Sequence, residues 1–196
     1  MGRYPDVYLQ TDAFNAPADR RECACISLTT AQAAAADDDG LLAAFATTTD
    51  AVTKTTFLNA MPACRNVTIT SGGTAASNIA AGTIVITGTD INGDPITEDA
   101  AVTADTALTF VGTKAFKTVT SILFPAMAGT SATFKAGWGD KYGLPYMLAA
   151  KPPAIGWVNY VQEDPTLAID SDELEKNVFS FTSAPSGEVV QLVLFI

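Results

Sequence analysis

Residues 83–98, TIVITGTDINGDPITE, decide the fold class of this chain. Two runs rich in Thr, Ile and Val flank the turn sequence Asp90-Ile91-Asn92-Gly93-Asp94. The Asn-Gly pair supplies the two positive φ angles that a type I′ turn requires, so this stretch predicts an antiparallel hairpin. A bound cation near Asp90 and Asp94 is the alternative, although Gly93 precedes Asp94 here, which does not match the ligand order of an EF-hand loop.

The same alternation of strand-forming segments and turn residues extends from the hairpin over most of the chain. From Leu41 onward, short β-prone segments alternate with Gly, Asn, Asp and Pro, a pattern typical of a sandwich or barrel. Phe134, Ala136 and Trp138 fall on one face of their segment, as in a strand with one buried side. We predict strands at residues 41–47, 52–58, 66–70, 83–89, 96–102, 115–124, 130–138, 156–161, 178–183 and 188–196.

The end of the chain predicts a second hairpin. The turn sequence APSG at residues 184–187 separates NVFSFTS from EVVQLVLFI. In the last segment, Val190, Leu192 and Leu194 lie on one face, while Val193 and Phe195 lie on the other. Both faces are therefore apolar, which predicts either a central strand or a strand with one face against a neighbour.

The fold class predicted from these patterns is all-β, an antiparallel β-sandwich or a barrel-like fold of Ig-like or jelly-roll type. Residues 1–40 are interpreted as an N-terminal arm, because the first 28 residues show mixed charge and no sustained periodicity. The alanine run at residues 31–36 admits one short helix within that arm. Residues 41–196 form the predicted β domain.

Composition excludes several classes of function. The chain of 196 residues has 11 Lys and Arg against 21 Asp and Glu, a formal net charge of −10. This charge disfavours nucleic acid and anionic membranes as partners. The sequence contains no His, which excludes imidazole as a general base and as a metal ligand. We predict no catalytic residue, no cofactor and no enzymatic activity.

Cysteines and acidic clusters give weak signals for a metal. Cys23, Cys25 and Cys64 are an odd number of thiols without the second pair or His partners of a zinc site, so we expect plain thiols and no metal site. The triplet at residues 37–39 is interpreted as a solvated turn, with calcium as the alternative. The N-terminal sequence lacks the apolar core of a signal peptide, and no apolar run is long enough to span a bilayer.

The segment WGDKYGLPY at residues 138–146 is the most distinctive local feature. Its rings, Trp138, Tyr142 and Tyr146, either cap the core or anchor a contact with another chain, since Tyr and Trp combine a rigid apolar body with a polar tip. The arm contributes further candidates for partner contacts. These are Arg3, Tyr4, Tyr8 and Phe14.

Four segments in order resemble a family of virion structural proteins of tailed bacteriophages and prophages. They are VITGTDINGDPITE at residues 85–98, KAFKTVTSI at 114–122, GWGDKYGLP at 137–145 and NVFSFTSAPSG at 177–187. The resemblance implies a structural subunit of the head or of the head-tail region. It implies neither catalytic residues nor cofactors.

Together, the composition and the resemblance lead to one expected function and two alternatives. We expect a capsid decoration (cement) protein that binds the outer surface of a tailed-phage head and reinforces contacts between capsomers. Its partners would be the major capsid protein and copies of itself, and it would be made in the cytoplasm of the bacterial host. The first alternative is a tail-tube, tail-terminator or head-tail connector ring subunit. The second is a carbohydrate- or receptor-binding module that uses Trp138 and Tyr142 for stacking.

Overall fold

β-branched segments between turn residues form strands throughout the part of the chain that the structure describes. The structure is a computed structural model, and it describes residues 23–73 and 76–196. Within these residues it contains two single turns of 3-10 helix, Ala76–Asn78 and Leu174–Lys176, and no α-helix. The strands are β1 Cys23–Leu28, β2 Asp37–Ala46, β3 Val52–Lys54, β4 Arg65–Gly73, β5 Gly82–Thr89, β6 Pro95–Val102, β7 Thr109–Phe116, β8 Thr118–Phe124, β9 Ala132–Gly143, β10 Ala154–Val158, β11 Val161–Glu163, β12 Thr166–Ala168, β13 Val178–Ser180 and β14 Val190–Phe195.

The strands pair into three antiparallel sheets. One has the order β1-β14-β10-β11, and another has the order β3-β8-β5-β6. The third has the order β12-β13-β9-β4-β7, and β2 pairs with β9 beside this path. The long strand β9 is shared along its length, because β4 pairs with one edge while β2 and β13 pair with the other. The predicted all-β antiparallel class is confirmed.

The first hydrophobic core lies between the six-stranded sheet and the β3-β8-β5-β6 sheet. Alternating residues of both sheets fill it, which is the expected result when each sheet buries one face. Ring contacts at its centre join Phe124 to Phe45 and to Phe134, with centroids 4.9 and 5.4 Å apart. The fully buried members include Val67, Ile69, Ile84, Ile86, Phe116 and Ile122.

The second core lies between the β1-β14-β10-β11 sheet and the far end of β9. Val190, Leu192 and Leu194 of β14 are all fully buried there. Tyr142 from β9 stacks on Phe179 of β13, with ring centroids 5.4 Å apart. Strand β14 therefore lies inside its sheet between β1 and β10, as one of the two predicted alternatives required.

The alanine run does not form the predicted short helix. Residues 31–33 form a turn, and residues 34–36 are irregular. One helical hydrogen bond is present, from the Ala33 amide to the Thr29 carbonyl at 2.9 Å. The carbonyls of the last residues in the run accept tertiary hydrogen bonds: Ala33 from the Gly187 amide at 2.8 Å, Ala34 from Arg65 Nη1 at 2.6 Å and Ala35 from Trp138 Nε1 at 3.0 Å. Hydrogen bonds from distant parts of the chain therefore replace a continued helix here.

The predicted arm overlaps two strands of the fold. Residues 23–28 form β1 and pair with β14 from Cys23↔Phe195 to Leu28↔Val190. Residues 37–40, predicted as a turn, open β2 with an irregular register against β9. The boundary between the arm and the β domain therefore moves from residue 40 to the start of β1. Local sequence patterns do not reveal that β1 pairs with a strand at the other end of the chain.

The second predicted hairpin is wrong in its pairing. The chain bends at residues 186 and 187, where Gly187 has φ +84°. However, β13 pairs with β9 and β12, whereas β14 pairs with β1 and β10. The turn therefore passes the chain from one sheet to another, because β13 and β14 each have their partners elsewhere.

The hairpin between β5 and β6 is confirmed, but its turn is not type I′. The Asp90 amide donates to the Asp94 carbonyl at 2.9 Å, which leaves three residues in the loop. Only Gly93 has a positive φ, +97°, and Asn92 does not. A type I turn followed by a left-handed glycine fits this geometry. The Asp90 carboxylate imposes it by accepting amide hydrogens from Asn92, Gly93 and Asp94 at 2.8 to 2.9 Å.

Candidate functional site

Arg65 is the only fully buried cation among the described residues, and its polar atoms all have internal partners. Its Nε donates to the Gly139 carbonyl at 2.7 Å, and Nη2 pairs with Asp140 Oδ1 at 3.0 Å. The guanidinium also lies 4.6 Å from the centroid of the Tyr142 ring. Burial lowers the pKa of Arg65 and raises the pKa of Asp140. The guanidinium uses three of its five N–H donors to tie the surrounding segments together, and its complete burial keeps it out of reach of a substrate.

Two of the predicted contact rings lie inside the protein. Trp138 is 7% exposed in the first core, and Tyr142 is 1% exposed in the second. Tyr146 is half-buried and packs against the second core. Burial therefore favours core capping for Trp138 and Tyr142, and a contact of these rings with another chain stays a prediction. Buried rings also offer no open platform on which a sugar can stack.

The other predicted contact residues lie outside the described residues. These are Arg3, Tyr4, Tyr8 and Phe14, all of which precede β1. Their role in binding a partner stays a prediction. The described structure nevertheless fixes where this segment joins the fold, since Cys23 begins the edge strand of the β1-β14-β10-β11 sheet.

Glu98 and Asp99 are adjacent carboxylates whose side chains point to opposite faces of β6. Glu98 is buried, whereas its neighbour Asp99 is exposed on the opposite face of β6, as the strand alternation predicts. Glu98 Oε1 accepts hydrogen bonds from the amides of Thr113 and Lys114 at 2.6 and 3.2 Å. Those residues bulge out of the ladder between β4 and β7. Glu98 therefore satisfies backbone amides that the bulge leaves without a strand partner.

The acidic triplet at residues 37–39 has its own internal partners. The carboxylates of Asp37, Asp38 and Asp39 lie within 4.8 Å of one another. Lys135 forms an ion pair with Asp38, and the Asp39 amide donates to Asp37 Oδ1 at 3.1 Å. A hydrogen bond with Asp37 is the main cause of the raised pKa of Asp39. Lys135 balances one of the three carboxylate charges in this cluster.

The three thiols differ in their surroundings. Cys64 is half-buried, and burial raises its pKa to about 12, so it is a poor nucleophile at neutral pH. Cys23 and Cys25 are exposed on the same face of β1, two residues apart. Their position on a strand edge makes them useful reporters of what covers that face.

An exposed aromatic side chain lies at the turn between β10 and β11. Val158 pairs with Val161, so Asn159 and Tyr160 form a two-residue turn. Both have left-handed backbones, with φ +50° and +65°. Tyr160 is 77% exposed and Val161 is 67% exposed. We refer to residues 159–161 as the Tyr160 tip.

Tyr160 occupies a position at which glycine is favoured. The second central residue of a type I′ turn needs a positive φ, which costs about 1–2 kcal/mol for a residue with a Cβ atom. Sequence reasoning missed this site, because residues 156–161 were predicted as one strand. The sequence signal was Asn159, a residue that tolerates the left-handed region, at the start of the two-residue segment between Val158 and Val161.

A second surface is the outward side of the β1-β14-β10-β11 sheet. Its side chains alternate with the buried ones of the second core, and none of them is charged. We call this surface the neutral face. It consists of Cys23, Cys25, Ser27, Ile155, Trp157, Gln162, Gln191, Val193 and Phe195.

Comparisons with protein-family models, with curated proteins and with solved structures gave no match. Among residues 23–73 and 76–196, no helix is long and apolar enough to cross a membrane. The surfaces with the chemistry of a contact site are the Tyr160 tip, which presents an aromatic ring, and the neutral face, which lacks charge.

Proposed function

We propose that this chain is a non-enzymatic virion structural protein, a decoration protein on the outer surface of a tailed-phage head. The single observation that carries the proposal is the Tyr160 tip. The fold class agrees with it, because an antiparallel all-β fold presents loops and hairpin tips on a rigid frame. The partners in this proposal are the major capsid protein and neighbouring copies of the chain.

The Tyr160 tip has the chemistry of a protein contact. Tyrosine is enriched among the residues that dominate binding energy at interfaces, because its ring buries a large area at a low cost in entropy. Strained backbone positions cluster at functional sites. Tyr160 shows both features, since it combines an exposed ring with a φ of +65°.

The charge of the chain supports an exterior location. A protein with net charge −10 is repelled by packaged DNA and attracted by a basic patch on a capsid exterior. Attachment that depends on this attraction weakens as salt screens it. We therefore expect the fraction bound to heads to fall as ionic strength rises, and attachment insensitive to salt contradicts this part of the proposal.

Copy number in purified particles tests the proposed function most directly. Quantitative mass spectrometry of particles made by the phage or prophage that encodes the chain gives its ratio to the major capsid protein. A ratio of the same order as the capsid protein supports decoration of the head lattice. A ratio of a few per cent supports the alternative of a tail or connector ring subunit, and absence from the particle rejects a virion role.

A substitution at the tip tests the proposed contact. Tyr160→Gly removes the ring while keeping a backbone that accepts a positive φ. We expect binding to heads that lack the protein to weaken by about tenfold or more, the usual scale for an interface anchor. Leu58→Ser is the matched control, since Leu58 is also exposed, at 63%, and lies on a different segment. Equal binding by both variants would show that the tip is not the contact.

A further inference from the structure

Two adjoining hollows lie on the surface where the loop between β3 and β4 meets the junction of β7 and β8. The first has a volume of about 380 Å³ and the second a volume of about 340 Å³. Met61 and Lys117 line both of them. We call the two hollows together the Lys117 groove. Each hollow has the size of a ligand site, a kind of site that is mostly apolar and holds a few placed polar groups.

The walls of the Lys117 groove are mostly apolar. Leu41, Phe57 and Val119 line the first hollow, together with the exposed side chain of Leu58. The second hollow is lined by apolar side chains of β1 and of two loops, which are Ile26, Leu28, Pro62 and Pro145. Apolar area that faces water in this way is available for burial against a ligand, and burial of such area is favourable.

The loop that forms one wall of the groove is fixed to the fold. The Leu58 amide donates to the Leu41 carbonyl at 2.9 Å, and Asn59 Nδ2 donates to the Gly40 carbonyl at 2.9 Å. Both hydrogen bonds tie the loop to β2. A wall that is already held in place loses little conformational freedom when a ligand binds, which favours affinity.

Lys117 lies between the two hollows and is the one charged residue among the described residues that line them. Its Nζ donates to the Ile91 carbonyl at 3.1 Å, which leaves two of its three donors. Lys114, Lys135 and Lys176 each pair with a carboxylate, whereas no carboxylate of the described residues pairs with Lys117. In a chain with net charge −10, this ammonium is complementary to a carboxylate that a ligand brings.

The central position of Lys117 determines the shape of the ligand. A fatty acid carries its carboxylate at one end, so a molecule that reaches Lys117 fills one hollow and leaves the other open. An extended peptide instead presents every second side chain on the same face, about 7 Å apart. An acidic side chain then faces Lys117, while the apolar side chains two residues before and two residues after it face the two hollows.

We propose that the Lys117 groove binds an extended segment of a partner protein with the pattern apolar-x-acidic-x-apolar. One apolar side chain packs against Phe57 and Leu58, and the other packs against Ile26 and Pro145. The groove shares no residue with the Tyr160 tip, so the inference goes beyond the proposed function and is tested separately. Because Leu58→Ser is expected to leave head binding unchanged, this segment belongs to a protein other than the surface that the tip contacts.

Three capped pentapeptides test this proposal on the full-length protein. LSESL places two leucines and the glutamate on one face of an extended chain. LSQSL replaces the carboxylate with a neutral amide, and SLELS has the composition of LSESL but places the glutamate opposite the leucines. We expect LSESL to bind with a Kd about tenfold lower than either control, since it alone combines both contacts. NMR titration of the isotope-labelled protein measures each Kd and locates the peptide.

Two variants separate the charged contact from the apolar one. Lys117→Gln should bind LSESL and LSQSL equally, because the cation that distinguishes them is gone. Leu58→Ser should weaken both peptides by the same factor, because it removes apolar contact alone. Lys151→Gln is the matched control, since Lys151 is exposed, lines neither hollow and should keep the tenfold preference. The NMR spectrum of each variant shows that it is folded.

The titrations also define the results that overturn the proposal. Amide signals of Leu58, Met61 and Lys117 that stay unchanged at millimolar LSESL reject the site. Equal affinity of the native chain for the three peptides rejects the pattern. Hexanoate that binds more tightly than LSESL assigns the groove to a small carboxylate and rejects a peptide as its occupant.

Discussion

Two hairpins of this chain fix the backbone conformation of their turns in different ways. Between β5 and β6, the side chain of Asp90 sets the loop by accepting three amide hydrogens, and Gly93 supplies the one positive φ. Between β10 and β11, no side chain among the described residues accepts hydrogen bonds from the turn in this manner. There Asn159 and Tyr160 both adopt positive φ angles because Val158 pairs directly with Val161.

The difference teaches that a turn is set either by its own side chains or by the strands around it. The first turn departs from the type that Asn-Gly predicts, because one carboxylate outweighs the preference of two residues. The second adopts that type without a glycine, because β10 is held in register by β14. Locally determined turns store little strain, whereas a turn imposed by its sheet can store it at an exposed position.

The largest effect is expected from Asp90→Ala, which removes the acceptor of three amides. Asp90 is buried, so these donors lose a charged partner, and we expect a loss of about 3 kcal/mol in the free energy of unfolding. Urea denaturation measures it. Asp94→Ala is the control, since Asp94 is exposed in the same loop. Similar losses in both variants would show that the carboxylate does not set the turn.

The next largest loss of stability is expected from Gly93→Ala, and it comes from backbone strain alone. A Cβ atom at Gly93 meets nothing within 4 Å, but φ is +97°. We expect a loss of about 1–2 kcal/mol by chemical denaturation. Gly93→Asn should lose less, because Asn tolerates the left-handed region better. An unchanged stability in Gly93→Ala would mean that the loop relaxes to another turn type.

A gain is expected at the second hairpin from Tyr160→Gly. Glycine adopts a positive φ without a steric cost, and this outweighs its larger entropy in the unfolded chain, so stability should rise by about 0.5–1 kcal/mol. Tyr160→Ala retains the Cβ atom and should give no such gain. Thermal unfolding distinguishes them. If both variants lose stability equally, the ring is a structural contact and the tip is not strained.

The smallest effect is expected from Asn92→Ala, at less than about 0.5 kcal/mol. Asn92 is exposed and lacks the positive φ that a type I′ turn would demand of it. The matched variant Asn159→Ala should lose more, because Asn159 has φ +50°. Chemical denaturation of the two variants compares the same residue in the two turns, and the reverse order would contradict the comparison.

Sequence patterns predicted the strands of this fold better than their partners. The segments at 83–89 and 96–102 coincide with β5 and β6 within one residue, because β-branched alternation is a local property. Strand β1 was assigned to the arm, since its partner β14 lies at the far end of the chain. The predicted segment 115–124 divides at Lys117 into β7 and β8, which belong to different sheets. Division into sheets depends on long-range pairing.

The candidate site could be predicted only in part, for the same reason. The segment at residues 138–146 correctly drew attention to aromatic side chains, but their burial depends on distant partners. Trp138 donates to the Ala35 carbonyl, and Tyr142 packs against Phe179 and Arg65. Tyr160 was missed because its turn is imposed by the surrounding sheet and carries no glycine.

The pairing of β1 with β14 has a consequence for synthesis on the ribosome. β1 emerges first of the described strands, and its partner β14 emerges last. Long-range pairings of this kind slow folding, because the long loop between the two partner strands must close before they can contact each other. During translation, β1 therefore carries an unpaired edge with two thiols, a state in which strands from different nascent chains can pair. We expect growth temperature and chaperone supply to limit the yield of this protein more than the stability of its finished fold does.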